Sequence, residues 1–186
     1  MSQGTAMDLS PASATAEAGP TAATTRALLR MAVGADVLAL PIAAVREILQ
    51  APRLTPLPRT PAFVRGVMNL RGAVVPVIDL AARLADRHDS VAASSLSRRS
   101  CVVVVELAGT EGERAPALGL LVDGVHEVFD VNVGEIEPVP PLGTCIGAEY
   151  LAGMVRGRGQ VIALLGLERV LDVGDLAALI ERHAVH

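Results

Sequence analysis

Apolar residues in this chain come in short runs, separated by Pro or Gly roughly every 8–12 residues, the rhythm of an all-β sandwich or barrel rather than of βαβ units. Ala27–Val33 and Val37–Leu40 predict two strands of a hairpin that turns through Gly34-Ala-Asp36. Ile42–Leu49 has helical or mixed apolar spacing and stops before Pro52. Pro52, Pro56, Pro58 and Pro61 then impose an extended, turn-rich path. Val64–Met68 and Ala73–Ile78 flank a tight Asn69-Leu-Arg-Gly72 turn, and Pro76 should confine its strand to an edge or a bulge. A polar, small-residue connector is expected over Ala85–Ser100. Two further strands follow, at Cys101–Leu107 and Ala117–Asp123. An amphipathic C-terminal helix is expected over about 174–184, with Asp172 or Gly174 at its start. Residues 1–25, almost free of large apolar side chains, read as a disordered tail.

The strands repeat. Val45-Arg-Glu-Ile-Leu49 is echoed by Val125-His-Glu-Val-Phe129, and Leu54-Thr-Pro-Leu-Pro58 by Ile136-Glu-Pro-Val-Pro140. The segment Phe63-Val-Arg-Gly-Val-Met-Asn-Leu-Arg-Gly-Ala-Val-Val75 returns as Tyr150-Leu-Ala-Gly-Met-Val-Arg-Gly-Arg-Gly-Gln-Val-Ile162. The offsets of 80, 82 and 87 keep the order with small insertions, which predicts two β lobes on one plan. Taken linearly, the first lobe spans about 26–98 and the second about 99–172. The first then carries ten arginines against five acids and the second six against thirteen, charges of +5 and −7. Lobes of opposite sign suit head-to-tail association, although dispersed charge that merely keeps the chain soluble fits the same counts.

Composition narrows the function. Hydrophobic residues make up 51% of the 186 and aromatics 2%, so the core must be aliphatic and no stacking platform for single strands exists. A net charge of −4 argues against a nucleic-acid partner. All sixteen basic residues are arginine, which excludes a P-loop lysine, a Schiff base and a lysine general base. Cys101 and Cys145 imply no disulfide framework, so a reducing cytoplasm is expected. No apolar run approaches the ~18 residues of a membrane span.

The scan for chemistry is nearly empty. Gly157-Arg-Gly159 starts like a dinucleotide loop, but Ile162 stands where the third glycine belongs. His88, His126, His183 and His186 form no metal-ligand cluster, so neither metal nor cofactor is expected. His126 beside Asp123 offers the one candidate general base. Arg71, at the tip of its hairpin, is placed to bind a carboxylate with its planar fork, and Glu47 lies on the helix-like VREIL segment.

The block Thr60–Leu80, with its N-L-R-G turn, resembles the signature of CheW, the bacterial chemotaxis coupling family. Val45-Arg-Glu-Ile48, Gly119–Val128, Glu149–Gly153 and Glu168–Leu171 resemble its remaining motifs in the family's order, from about Ala27 to about Ile180. The resemblance implies two SH3-like five-stranded β-barrels around a shared core, and no catalysis. It implies an adaptor between the cytoplasmic tips of methyl-accepting chemoreceptors and the regulatory domain of a CheA-type histidine kinase, associated with membrane arrays only through those partners. Carried over by motif, Val45, Glu47, Asn69 and Arg71 would face the receptor, with Val102. Gly119, Asp123 and Val128 would lie near the kinase. A coupling protein of a related array, serving twitching motility or biofilm formation, is the alternative of the same fold. A small β-barrel enzyme using His126 is the rival of another class.

Overall fold

The computed structural model describes residues 24–50, 52–85, 96–106, 117–140, 146–157 and 159–170. The tail up to residue 23 and the expected C-terminal helix lie outside them. The strands are β1 (Thr25–Val33), β2 (Asp36–Pro41), β3 (Val45–Gln50), β4 (Val64–Leu70) and β5 (Ala73–Asp79). They continue as β6 (Cys101–Glu106), β7 (Ala117–Val122), β8 (Gly124–Asn132), β9 (Leu151–Gly157) and β10 (Gln160–Leu165). Short helices α1 (Leu80–Leu84) and α2 (Leu167–Val170) follow β5 and β10. The mixed spacing of Ile42–Leu49 resolves into a 3-10 turn, Ile42–Ala44, and then β3, so Glu47 sits on a strand and not on a helix. Part of the expected connector is an ordered turn, in which Ser100 Oγ accepts from Ser97 N–H at 2.9 Å.

Two five-stranded sheets form, in the orders β8-β1-β2-β10-β9 and β3-β6-β7-β5-β4. Laid side by side they are the same sheet: β8, β1, β2, β10 and β9 correspond to β3, β6, β7, β5 and β4. The repeat is thus real, but the linear division at 98/99 is not the division of the sheets. Each repeat lends its first hairpin to the other: β1-β2 joins β8–β10, and β6-β7 joins β3–β5. The links at the exchange are short: Ile42–Ala44 separates β2 from β3, and Asp123 alone separates β7 from β8. The third strand of each repeat crosses to the other sheet, where β3 pairs with β6 and β8 with β1.

Most central strands are buried on both faces, and alternation distributes their side chains between two environments. Val103 and Val105 of β6 point into a cluster shared between the sheets, with Leu29, Met31, Leu38, Leu40, Leu120 and Leu165. Val102 and Val104 point the other way, into the second barrel's interior with Met68, Val75, Val77 and Leu121. Leu28, Ala39, Val131, Val155, Ile162 and Leu164 fill the first barrel. Pro76 lies in β5, an inner strand and not an edge, but β7 pairs with β5 only from Val77 onward. At Pro76 the strand is therefore locally an edge, and the missing N–H leaves no ladder gap.

Each sheet is closed by the Pro-containing echo motif. Thr55 exchanges two 2.8 Å backbone hydrogen bonds with Val67, and Glu137 exchanges two of the same length with Met154. These contacts bring the segment after β3 onto β4, and the segment after β8 onto β9. The glycine before each bridge is the repeated Gly of the two hairpins. Gly66 has φ +133°, and a Cβ there would fall on the Thr55 carbonyl, with Pro56 Cα only 2.9 Å away. At Gly153 a Cβ would meet the Ile136 Cγ2 methyl at 2.8 Å and Glu137 O at 3.0 Å. Between the lobes, Arg83 of α1 lies 5.0 Å from the Phe63 ring and 5.4 Å from the Tyr150 ring, the two aromatics that the repeat makes equivalent. Its Nε donates to Val170 O at 3.0 Å, so one cation ties both lobes.

Gly66→Ala should therefore cost more than about 3 kcal/mol, because backbone strain and a backbone collision coincide. Gly153→Ala should cost about 1–3 kcal/mol, since a methyl group takes up part of the overlap. Urea denaturation of the two variants checks the order.

Candidate functional site

The Asn69–Gly72 turn places Arg71 and Gly72 at φ +53° and +87°, the two-residue hairpin geometry with both central residues left-handed. Asn69 Oδ1 accepts from Gly72 N–H at 2.9 Å and holds the turn. Arginine in this conformation is uncommon and carries a strain of order 1 kcal/mol. The strain throws its side chain outward, with 77% of it exposed, and Nη2 donates to Glu47 Oε1 at 3.2 Å. Glu47, 27% exposed, reaches the turn from β3, which with β4 forms the outer edges of the second sheet. Glu47, Asn69 and Arg71 thus make one polar end of the second barrel. Val45, half-buried, packs on the shared core beside it.

The remaining expected site residues need correction. Val102 is 0% exposed inside the second barrel. It underlies Leu49, its cross-strand neighbour, and offers no side chain to a partner. Gly119 is buried in the same barrel, where a Cβ would come within 2.7 Å of Val102 Cγ1 and 3.0 Å of Val77 Cγ2. Its absence of a side chain is a packing requirement. Asp123 is engaged internally: Oδ2 accepts from Gly34 N–H at 2.6 Å and its own N–H donates to Ala32 O. It pins the exchanged β1-β2 hairpin to the β7-β8 corner. Only Val128, 52% exposed on β8, presents a surface, and it does so on the first barrel. Gly119, Asp123 and Val128 are therefore not one patch. His126 is exposed on β8, and the hydrogen bond that Asp123 makes goes to Gly34, so the candidate acid–base pair is not assembled. Among the described residues no group of three His, Cys, Asp or Glu side chains could hold a metal ion, and no helix is long and apolar enough to cross a membrane.

Of an exposed aliphatic set, the motifs in the sequence pointed to Val128 alone. Ile48 and Val74 on the second barrel, and Val128 and Val161 on the first, are all exposed. The repeat offsets map Ile48 onto Val128 and Val74 onto Val161, and that symmetry was the available signal. The two barrel ends also differ. Glu127, the equivalent of Glu47, lies 3.5 Å from Arg30 of β1. Where the second barrel has Val104, the first has Arg30, and a cavity of about 240 Å³ opens between Arg30, Glu127, Phe129 and Arg156.

Two closed β-barrels sharing an aliphatic core, with polar and aliphatic features only at barrel ends and edges, define a contact module of the SH3-like two-barrel class. A family model described as the CheW-like domain matches residues 27–174, and the chain belongs to that family. It is 33% identical over 145 residues to the chemotaxis protein CheW of Rhizobium meliloti, covering 78% of this chain and 86% of the relative. It is 37% identical over 149 residues to protein FrzA of Myxococcus xanthus, covering 79% and 86%. The fold matches the crystal structure of the scaffolding protein TtCheW from Thermoanaerobacter tengcongensis with a TM-score of 0.68 at 28% identity, over 84% of this chain and 94% of that one.

Val102→Ala should lower stability by about 2–3 kcal/mol, and Asp123→Ala by about 1–2 kcal/mol, through a cavity and a lost hydrogen bond respectively. Partner affinity per folded molecule should stay within two-fold of wild type in both, as titration calorimetry on the folded fraction would show.

Proposed function

We propose that this protein is a non-catalytic cytoplasmic adaptor that couples chemoreceptor tips to the regulatory domain of a CheA-type histidine kinase. Membership of the CheW-like family supports the class of role, and the single observation that carries the assignment of surfaces is the Glu47–Asn69–Arg71 barrel end. Arg71, strained and outward-pointing on a rigid hairpin, is the group suited to a receptor carboxylate. Val45 flanks it on the receptor side. On the kinase side we retain Val128, with the edge of the first barrel around it, while Val102, Gly119 and Asp123 act as support. The relative FrzA keeps a second reading open, a coupling protein of a related array, which the identity of the captured kinase decides.

Dividing the charges by sheet instead of by sequence keeps their opposite signs. Among the described residues, the second barrel with its helix and flanking segments carries eight arginines and four acids, and the first carries four and seven. This supports steered approach of unlike barrels when a partner shares the two-barrel plan.

Arg71→Glu should weaken binding of a receptor cytoplasmic fragment by a few kcal/mol while kinase binding persists; equal loss of both with an intact fold by circular dichroism would contradict separate surfaces. The association rate with the kinase regulatory domain should fall clearly between low and physiological salt, where the Debye length shortens to ~8 Å, with dissociation changing much less. Stopped-flow measurements at several salt concentrations check this, and a flat association rate would reduce the asymmetry to solubility charge.

A further inference from the structure

The inward-facing residues at the two barrel mouths correspond position by position, yet they do not fill the mouths alike. In the second barrel Leu49, Leu70, Val75 and Val104 all belong to the interior cluster or pack against it. The repeat offsets map the first three onto Phe129, Gly157 and Ile162, and strand register puts Arg30 where Val104 stands. Phe129 and Ile162 are bulkier than their counterparts and lean over Gly157. A Cβ there would meet Ile162 Cδ1 at 2.9 Å and the Phe129 ring at 3.3 Å. The leucine side chain itself is missing, and a buried valine has given way to a charged residue. The result is a cavity of about 240 Å³ whose lining includes that apolar pair, two arginines, Arg30 and Arg156, and two acids, Glu127 and Asp130. It has room for about eight water molecules, which suits a small molecule and not a folded segment of a partner.

The lining charges decide what kind of molecule. A net anion would meet both carboxylates and a net cation both guanidiniums, so each is repelled as well as attracted. A neutral ligand with separated charges of both signs avoids that conflict. Arg30 is the anchored member of the set, its side chain only 18% exposed. Its Nη2 donates to Gln160 Oε1 at 3.0 Å, and its Nη1 lies 3.5 Å from Glu127 Oε1. Its Nε is buried and, among the described residues, has no acceptor. A buried donor left unpaired is costly, and a carboxylate in the cavity, taken side-on after a small turn of the guanidinium, would relieve it. Asp130 is exposed at the rim, while Phe129 and Ile162 offer an apolar wall. An apolar wall with a few convergent polar groups is the usual make-up of a small-molecule site.

We propose that the mouth of the first barrel binds a small aliphatic α-amino acid as its zwitterion. The carboxylate lies on Arg30, the ammonium group points toward Asp130, and the side chain rests against Phe129 and Ile162. Arg156 stands at the rim, 3.5 Å from Glu137. The site uses neither Arg71 nor Val128, the side chains proposed to meet receptor and kinase, so it stands or falls apart from the adaptor role.

Leucine, added to the isotope-labelled full-length protein and followed by nuclear magnetic resonance, is the probe. It should give saturable shifts at the backbone amides of Phe129, Gly157 and Ile162, with a dissociation constant in the millimolar range expected of so small a ligand. Isovalerate, which lacks the ammonium group, and isoamylamine, which lacks the carboxylate, should each bind about ten-fold more weakly. Arg30→Val gives the mouth the residue that the second barrel already tolerates, and it should weaken leucine binding by about ten-fold or more. Asp130→Asn, at an exposed position that leaves the fold intact, should weaken leucine binding severalfold without weakening isovalerate binding. It carries the test if Arg30→Val does not fold. Absence of saturable shifts at the mouth would overturn the site. Isovalerate binding as tightly as leucine, or full leucine affinity in a folded Arg30→Val or Asp130→Asn protein, would overturn the zwitterion assignment.

Discussion

Burial of the central strands on both faces governs what this protein can do. A strand that packs one face on the shared cluster and the other inside its own barrel has no side chain left for a partner. Aromatics, the usual anchors of an interface, are almost absent, and the core is built from Val, Leu and Ile. Contact chemistry is therefore confined to the outer strands, the hairpin tips and the open barrel ends. Arg71, Glu47, Ile48 and Val128 lie in those places, and Val74 and Val161 sit at the turn ends of the inner strands β5 and β10, whereas Val102 and Gly119 lie mid-strand on β6 and β7 and are inside.

That division also explains what could be read from the chain alone. The short strands, the aliphatic core and the repeat were legible because period-2 alternation and Pro/Gly punctuation are local. The Gly66 and Gly153 echoes were visible as well, although the reason for them, a backbone bridge from the other side of the barrel, was not. The hairpin exchange left no local mark. A repeat read in sequence order yields two consecutive lobes, and only the pairing of β3 with β6 and of β8 with β1 shows that the lobes trade strands. The same blindness affected the site. Motif matching selected Val102, Gly119 and Asp123 alongside Arg71, since motif positions do not distinguish residues that contact a partner from residues that hold the contacting ones.

Duplication followed by divergence accounts for the unequal barrel ends. Both copies keep the β-hairpin, the bridge and a glutamate at the same place on β3 and β8. Among the differences between the copies, β6 has the buried Val104 where β1 has the half-buried Arg30, which lies 3.5 Å from Glu127. Arg30 and Glu127 line the cavity at the mouth of the first barrel, whereas Val104 fills the corresponding place in the second, where Glu47 meets Arg71 of the hairpin tip. Together with other differences, such as Asn69 against Arg156 and Leu49 against Phe129, this makes the two barrel ends chemically distinct. Such a distinction suits the adaptor role proposed for this chain.

The exchange has a mechanical consequence too. The shared cluster contains eighteen buried residues drawn from both sheets and the short helices. Separating the barrels would expose these side chains, each worth about 1.5–3 kcal/mol when fully buried. The barrels therefore cannot open as independent bodies, and Arg83, sandwiched between Phe63 and Tyr150, adds a direct tie across the junction. Surfaces on opposite barrels are held together by the shared core, which would position partners of the proposed adaptor relative to each other. A scaffold made of two linearly consecutive barrels would have needed a stiff linker to do the same; here the borrowed hairpins are the linker.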